Sequence, residues 1–154
     1  MPENPYDDPI FFKKYARMYR SLHGLRGAGE WPLLKKLLPD FTGRKVLDLG
    51  CGYGWHCQYA VEHGAAEVVG VDSSRRMLSR ARELHTDERI AYRLAAMESL
   101  DFPAASFHVV LSSLAFHYVA DFPALVGRIA QWLRPGGSFV FSVEHPVFTS
   151  YGTQ

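Results

Sequence analysis

A glycine-rich stretch, VLDLGCGYGW at residues 46–55, has the residue types and spacing best suited to bind a ligand. Its apolar start, residues 46–49, predicts a buried strand. Gly50, Gly52 and Gly54 follow at intervals of two. Because glycine lacks a Cβ and tolerates positive φ, such a loop lets the backbone approach a ligand closely. We therefore predict a binding loop at the carboxyl end of a strand, the edge where α/β sheets bind ligands.

An acidic residue, Asp72, ends the next apolar run, 22 residues after Gly50. A carboxylate there can accept both hydroxyls of a ribose. The alternative is that Asp72 caps the helix that begins near Ser74. Dinucleotides and S-adenosylmethionine both carry an adenosine ribose, so Asp72 does not distinguish between them.

The spacing of the third glycine does distinguish these two ligands. The dinucleotide fingerprint GxGxxG places its last glycine where helix and strand pack closely. Counted from Gly50, that position holds Trp55, and the third glycine lies at Gly54 instead. We interpret the bulky indole as incompatible with a bridging diphosphate, which favours S-adenosylmethionine over a nicotinamide dinucleotide.

Strands and helices alternate from residue 45 onward, which predicts a parallel sheet built from right-handed βαβ units. The expected strands are residues 45–50, 67–72, 89–95, 107–113 and 138–146. The expected helices are residues 55–64, 73–85 and 122–133, with Ser73 or Ser74 as the N-cap of the second. Shorter helical patterns at residues 10–22 and 30–39 flank a glycine-rich break.

Four stretches in order, LDLGCGYG, VVGVDSSRRML, FHVVLSSLAFHY and LRPGGSFVFS, resemble the class I S-adenosylmethionine-dependent methyltransferases, most closely their small-molecule branch. The resemblance spans residues 44 to 145. It implies an α/β, Rossmann-like, doubly wound and mostly parallel sheet with strand order 3-2-1-4-5. We expect residues 1–43 to form an N-terminal helical lid and residues 44–154 to form the donor-binding core of a single domain.

The family sheet normally has seven strands, and this sequence stops soon after the fifth. We therefore expect a chain truncated after that strand. An exposed fifth strand with the apolar sequence SFVFSV would be prone to self-association.

The resemblance also implies roles for individual residues. Asp48 would orient the loop and the methionine ammonium, while Asp72 would hold the ribose hydroxyls. The loop residues that would approach the methionine and ribose are Gly50, Cys51, Gly52 and Gly54. Those expected beside the adenine are Ser73, Met77 and Met97, and those at the methionine end are Ser113 and Leu114.

Two positions depart from the family pattern. Ala95-Ala96 stands where the family often has Gly-Asp, so Glu98 or a backbone carbonyl would have to reach the adenine amino group. Phe107-His108 stands where the family often has Phe-Asp, which puts the geometry around His108 in doubt.

Methyl transfer from a sulfonium needs alignment and exclusion of water, and it needs a base only when the acceptor must lose a proton. The sequence therefore fixes no catalytic residue. His117 is a weak candidate base, Glu144 and His145 border the same rim, and His56 fits a first-turn helix position. Four aromatic residues either close over the donor or pack on the sheet, namely Tyr6, Tyr15, Tyr19 and Trp31.

Composition excludes several other classes of function. With 17 basic and 16 acidic residues the net charge is +1, which implies no general attraction to nucleic acid or membranes. The arginines at positions 75, 76, 80 and 82 fit a solvated helix face better than an RNA contact. No group has metal-ligand spacing, and two cysteines six residues apart suggest a reduced, cytoplasmic protein.

The function expected from the sequence is a methyltransferase that uses S-adenosylmethionine, releases S-adenosylhomocysteine and acts on a small-molecule acceptor. A non-catalytic S-adenosylmethionine-binding module is the alternative. A nicotinamide-dependent oxidoreductase ranks third.

Overall fold

The computed structural model describes residues 4–149 and contains one five-stranded sheet with helices on both faces. The strands are β1 (Lys45–Leu49), β2 (Glu67–Asp72), β3 (Ile90–Leu94), β4 (Phe107–Ser113) and β5 (Leu133–Ser142). The helices are α1 (Pro9–Tyr15), α2 (Tyr19–His23), α3 (Trp31–Leu37), α4 (Trp55–Glu62), α5 (Arg75–Leu84), α6 (Phe122–Trp132) and α7 (Pro146–Thr149). No helix within residues 4–149 combines the length and apolar character needed to span a membrane.

All pairings in the sheet are parallel, and the strand order is β3-β2-β1-β4-β5. This confirms the order expected from the sequence. β1 lies in the centre, hydrogen-bonded to β2 and β4. The carboxyl ends of β1, β2 and β4 therefore meet at one edge of the sheet, and the glycine loop begins there.

Alternating side chains of the central strand feed two separate cores. Val46 packs in the cluster that contains Cys57 and Ala60 of α4. Leu47 and Leu49 pack in the other cluster, which contains the buried residues of α6. Apolar residues on both faces explain why the strands read as continuous hydrophobic runs.

The predicted helix starts agree with the structure, whereas the fifth strand differs. The Ser74 hydroxyl accepts a hydrogen bond from Met77 N and caps α5. β5 begins at Leu133, five residues before the predicted start, and it ends at Ser142, four residues before the predicted end. Between the pairs Phe107–Leu133 and Val109–Ser138, β4 advances by two residues and β5 by five, so residues 134–137 bulge out of the strand pairing. Self-association of β5 stays a prediction.

A close approach of helix to sheet lies beneath the glycine loop, at Gly70 of β2. A Cβ there would lie 2.9 Å from Cys57 Sγ and 3.1 Å from Cys51 Sγ. The Trp55 ring meets that of His85 edge-on, with centroids 4.7 Å apart, and lines the cavity beside the glycine loop. The small residue at the contact between α4 and the sheet is supplied by β2.

A buried carboxyl group lies at the same contact between α4 and the sheet. Asp48 of β1 is 1% exposed, and its Oδ2 accepts a hydrogen bond from Cys57 Sγ at 3.3 Å. Burial raises the pKa of Asp48 to about 7. The folded chain therefore favours the neutral carboxylic acid at this position.

Gly70→Ala should destabilise the fold by roughly 1–3 kcal/mol, because the added methyl group overpacks the contact with both thiols. Urea denaturation would measure the free energy of unfolding. Gly127→Ala on α6 is the matched control, since a Cβ there meets nothing within 4 Å. That control should gain roughly 0.5–1 kcal/mol from the better helix propensity of alanine. Equal stability of Gly70→Ala and the wild type would contradict the close contact.

Asp48 should make the protein less stable as the pH rises from 5 to 8. Its folded-state pKa of about 7 lies above the reference value of 3.8, so its stabilisation is complete below the unfolded pKa and is lost through pH 7. The expected fall in unfolding free energy is roughly 2–3 kcal/mol. Asp48→Asn should remove this fall, whereas the exposed-site control Asp101→Asn should keep it. Parallel pH profiles for wild type and Asp48→Asn would refute the assignment.

Candidate functional site

The glycine loop is fastened to the neighbouring strand β2 as well as to β1. Gly50 N and Cys51 N both donate to the carbonyl of Val71, at 2.8 and 2.9 Å. Gly52 N donates to Oδ2 of Asp72 at 2.9 Å. Three successive N–H groups therefore hold the loop against the end of β2.

The three loop glycines have positive φ but different surroundings. A Cβ on Gly50 would collide with Ala115, and one on Gly54 would collide with the Tyr92 hydroxyl. A Cβ on Gly52 would meet nothing within 4 Å. Gly50 and Gly54 are thus packed closely against neighbouring side chains, while Gly52 faces open space.

Asp72 connects the loop to the start of α5. Its Oδ1 accepts from Ser74 N at 2.9 Å while Oδ2 accepts from Gly52 N. The N-cap of α5 is Ser74, so Asp72 does not itself cap the helix. The backbone N–H of Ser73 also acts on this carboxylate, and since a carboxylate has about four acceptor positions, capacity remains for a hydroxyl donor. Burial raises the pKa of Asp72, against the lowering effect of its backbone hydrogen bonds.

A cavity of about 70 Å³ lies between the glycine loop and the N-terminal segment. Of the predicted binding residues, it is lined by Gly50, Cys51, Gly52 and Ser113. The N-terminal segment contributes Tyr15, Arg20, Ser21, Gly24, Leu25 and Ala28. Sites for drug-sized ligands measure about 300–1,000 Å³. A ligand of nucleoside size would therefore require the N-terminal segment to move outward.

An ion pair that sequence reasoning missed lies at this cavity. Arg20 Nη2 of α2 donates to Glu30 Oε1 at 2.9 Å. The same oxygen accepts from Ser113 Oγ at 3.2 Å, which connects the residue before α3 to the end of β4. Both charged side chains are about three-quarters buried, with 29% and 23% exposed. Their position on either side of a glycine-rich break gave no motif by which to recognise them.

His56 also lines the cavity, in the first turn of α4 as its position in the sequence suggested. Its ring meets Trp31 edge-on, with centroids 5.4 Å apart. Burial lowers the pKa of His56 to about 4, so the ring is neutral at pH 7. Beside it, the indole N–H of Trp55 is buried without an acceptor in the described part of the chain.

The other predicted binding residues lie outside the cavity lining. Asp48 and Met77 are buried, and Ser73 Oγ accepts from Asn4 Nδ2 at 2.8 Å. Glu98 is exposed, and its carbonyl accepts from Arg128. Leu114 adopts a left-handed φ of 53°, a strained conformation for a branched side chain. Met97 lies beside Gly50, with its Cε 3.6 Å from the position of a Cβ.

Part of the N-terminal segment covers the carboxyl edge of the sheet. Asp7 Oδ1 accepts from Ser74 Oγ at 2.7 Å and from Arg76 N at 3.1 Å. The Tyr6 hydroxyl lies 3.0 Å from that of Tyr118, which follows β4. These contacts connect the segment to the ends of both β2 and β4.

The four aromatic residues proposed as a cover separate into two pairs. The rings of Tyr6 and Tyr15 meet edge-on at 5.5 Å, and Tyr15 contacts Tyr53 of the loop. Tyr19 is 66% exposed and stacks on His23, whereas Trp31 packs on Tyr59 of α4. Tyr6 and Tyr15 therefore lie at the loop, whereas Tyr19 faces solvent and Trp31 packs on α4.

Two histidines considered as candidate bases have different surroundings. The His117 ring lies 4.2 Å from that of Tyr118, and its Nδ1 is buried without a partner in residues 4–149. His145 is exposed, and its Nδ1 accepts from Val147 N. Glu144 is also exposed. Within the described residues, no three His, Cys, Asp or Glu side chains are placed to hold a metal.

Comparison with known proteins identifies close relatives of this chain. An uncharacterized protein of Haemophilus influenzae is 38% identical over 152 residues, which cover 95% of this chain and 60% of that protein. A ubiquinone biosynthesis O-methyltransferase of Bradyrhizobium is 38% identical over 119 residues, 75% of this chain and 46% of that protein. The chain therefore spans about half to three-fifths of the length of these relatives.

Solved structures show the same fold. An S-adenosylmethionine-dependent methyltransferase of Mesorhizobium loti is 50% identical with a TM-score of 0.78, covering 81% of this chain and 58% of that one. Phosphoethanolamine N-methyltransferase 2 of Haemonchus contortus, solved with S-adenosyl-L-methionine, is 28% identical with a TM-score of 0.75, covering 95% and 38%. A methyltransferase domain model matches residues 47–141, well over half of the chain. The chain belongs to the methyltransferase domain family.

Proposed function

We propose that this chain binds S-adenosylmethionine and forms the donor-binding part of an enzyme that methylates a small molecule. The observation that carries the proposal is the Asp72 carboxylate, held by Gly52 N and Ser74 N beside the open face of Gly52. Supporting it are the family match and the relatives named for methyl transfer to small molecules.

The residues around the loop fit a nucleoside that carries an amino-acid tail. Asp72 retains acceptor capacity for a ribose hydroxyl. Arg20 and Glu30 offer one positive and one negative side chain, complementary to a carboxylate and an ammonium group. Trp55 adds a buried N–H that lacks an acceptor among the described residues.

The bound donor would supply a methyl group activated on a sulfonium. In this proposal the chain contributes binding and orientation: Asp72 holds the ribose, and Arg20 with Glu30 fixes the amino-acid end. Tyr6 and Tyr15 exclude water from the carboxyl edge of the sheet, as a closing segment does. Alignment of this kind can account for about 7–11 kcal/mol of barrier reduction.

His117 is the group we propose to face the acceptor. It follows β4 at the same edge as Ser113, and its unpartnered Nδ1 is able to accept a proton from an acceptor hydroxyl or amine. The Tyr6–Tyr118 contact lies next to it and would position the acceptor side of the site.

A non-catalytic binding module is the second candidate, favoured by Ala96 in place of the family's aspartate and by the exposed position of Glu98. Isotope-labelled S-adenosylmethionine separates the two candidates, since an enzyme transfers the label to an acceptor and a module binds without turnover. Calorimetry with NAD alongside S-adenosylhomocysteine tests the third candidate, because an oxidoreductase would bind NAD more tightly.

Asp72→Asn should weaken the binding of S-adenosylhomocysteine by at least about tenfold, because an amide replaces the charge-assisted hydrogen bonds to the ribose. The isosteric amide keeps an acceptor for a backbone N–H, so the fold should survive. Calorimetry would measure the dissociation constant, with the distant Asp87→Asn as the control. An unchanged constant in Asp72→Asn would refute the ribose assignment.

Arg20→Gln should weaken the binding of S-adenosylhomocysteine about tenfold. It should leave the affinity for 5′-methylthioadenosine unchanged. The reason is that methylthioadenosine has the nucleoside and lacks the carboxylate that Arg20 would bind. Exposed Arg17 offers a control with the same change in charge. Equal losses for both ligands would mean that Arg20 acts on the fold of the loop and not on the amino-acid end.

A further inference from the structure

A second polar cluster lies at the opposite edge of the sheet from the glycine loop. Arg44 precedes β1, His108 is the second residue of β4, and Arg134 is the second residue of β5. They line a surface cavity of about 370 Å³ together with residues 135–137. This volume is within the range of small-ligand sites.

One ring nitrogen of His108 faces a group with which it cannot form a hydrogen bond. Lys45 N donates to His108 Nδ1 at 3.0 Å, so Nδ1 must carry a lone pair. A neutral imidazole with a lone pair on Nδ1 carries its proton on Nε2. Yet Arg134 Nη1, which can only donate, lies 3.0 Å from Nε2. Two donors therefore point toward each other.

Neither rotation of the ring nor a second proton resolves this conflict. A flipped ring would present carbon to Lys45 N and leave that N–H without its acceptor. A doubly protonated ring would place a proton against the same N–H. Burial, followed by the charges of Arg134 and Arg44, also lowers the pKa of His108. An acceptor placed between Nε2–H and the guanidinium satisfies both donors.

The charges around the cluster favour a negatively charged acceptor. Among residues 4–149, no carboxylate lies within 4 Å of the Arg44 or Arg134 guanidinium. The charge of Arg44 helps to lower the pKa of Asp40, but the Asp40 carboxylate is hydrogen-bonded to Thr42. Lys45 Nζ, the neighbouring cation, is paired with Glu67 at 3.2 Å. The two arginines thus keep their charge unneutralised.

We propose that Arg44, His108 and Arg134 form a binding site for a phosphate-type oxyanion. Its oxygens accept from the two guanidinium groups and from Nε2–H of His108, which turns the opposed donors into partners of one acceptor. The cavity has room for a small phosphomonoester as well as for inorganic phosphate. The site is separate from the proposed donor site and does not depend on it.

Calorimetric titration with inorganic phosphate and with glycerol 3-phosphate, at fixed ionic strength in chloride, tests the site. Both probes should bind the wild type, and tighter binding of the ester would identify a phosphorylated metabolite as the natural class. Arg134→Gln should weaken both by roughly tenfold or more, since a charge-assisted hydrogen bond is lost. Arg17→Gln should bind both probes as the wild type does.

Imidazole NMR supplies a readout specific to His108. Added phosphate should change the chemical shift of the His108 Nε2 nitrogen. The Nδ1 nitrogen should keep the chemical shift of a hydrogen-bond acceptor. Arg44→Gln should also weaken the binding of both probes by roughly tenfold or more. It serves as the test variant if Arg134→Gln does not fold. Failure of both probes to bind the wild type, or equal affinity in the wild type and the arginine variants, would overturn the proposal. Affinity for S-adenosylhomocysteine should stay constant throughout, so the two proposals fail independently.

Discussion

The glycine loop works only because β2, the neighbour of its own strand, holds it in place. Val71 and Asp72 accept hydrogen bonds from Gly50, Cys51 and Gly52 in succession. A loop with so much backbone freedom would otherwise sample many conformations, at an entropic cost for every ligand it bound. The same Asp72 that fixes the loop retains acceptor capacity, so the restraint and the proposed binding group are one side chain.

Close contact beneath the loop follows from this arrangement. The loop is bonded to Val71, and Gly70, the residue before it, makes room for the thiols of Cys51 in the loop and Cys57 in α4. Asp48 is enclosed at the same contact, and burial raises its pKa to about 7. A polar group in so tight a contact costs stability, and its hydrogen bond with Cys57 offsets only part of that cost.

The sequence predicted the sheet well because local pattern and overall topology agree there. Apolar runs of strand length, each followed by a helical pattern, predict parallel βαβ units, and the resemblance to methyltransferases supplied the strand order. The fifth strand was misplaced since its start depends on an irregular register with β4, which no periodicity reveals. The role of Gly70 was not predicted for a related reason: a fingerprint counts positions along one loop, whereas the small residue at the contact lies on another strand.

The N-terminal segment shows the limit of sequence reasoning most clearly. Its contacts are single polar pairs between distant residues, such as Asp7 with Ser74 and Glu30 with Ser113. Pairs of this kind leave no spacing signal, so Arg20 and Glu30 went unnoticed. Residues 4–28 are joined to the ends of β2 and β4 by a few hydrogen bonds and to Tyr53 by ring contacts, and none of them belongs to either hydrophobic core, whereas Phe41 does. We propose that these residues move outward to admit the donor, because the closed cavity is smaller than that ligand.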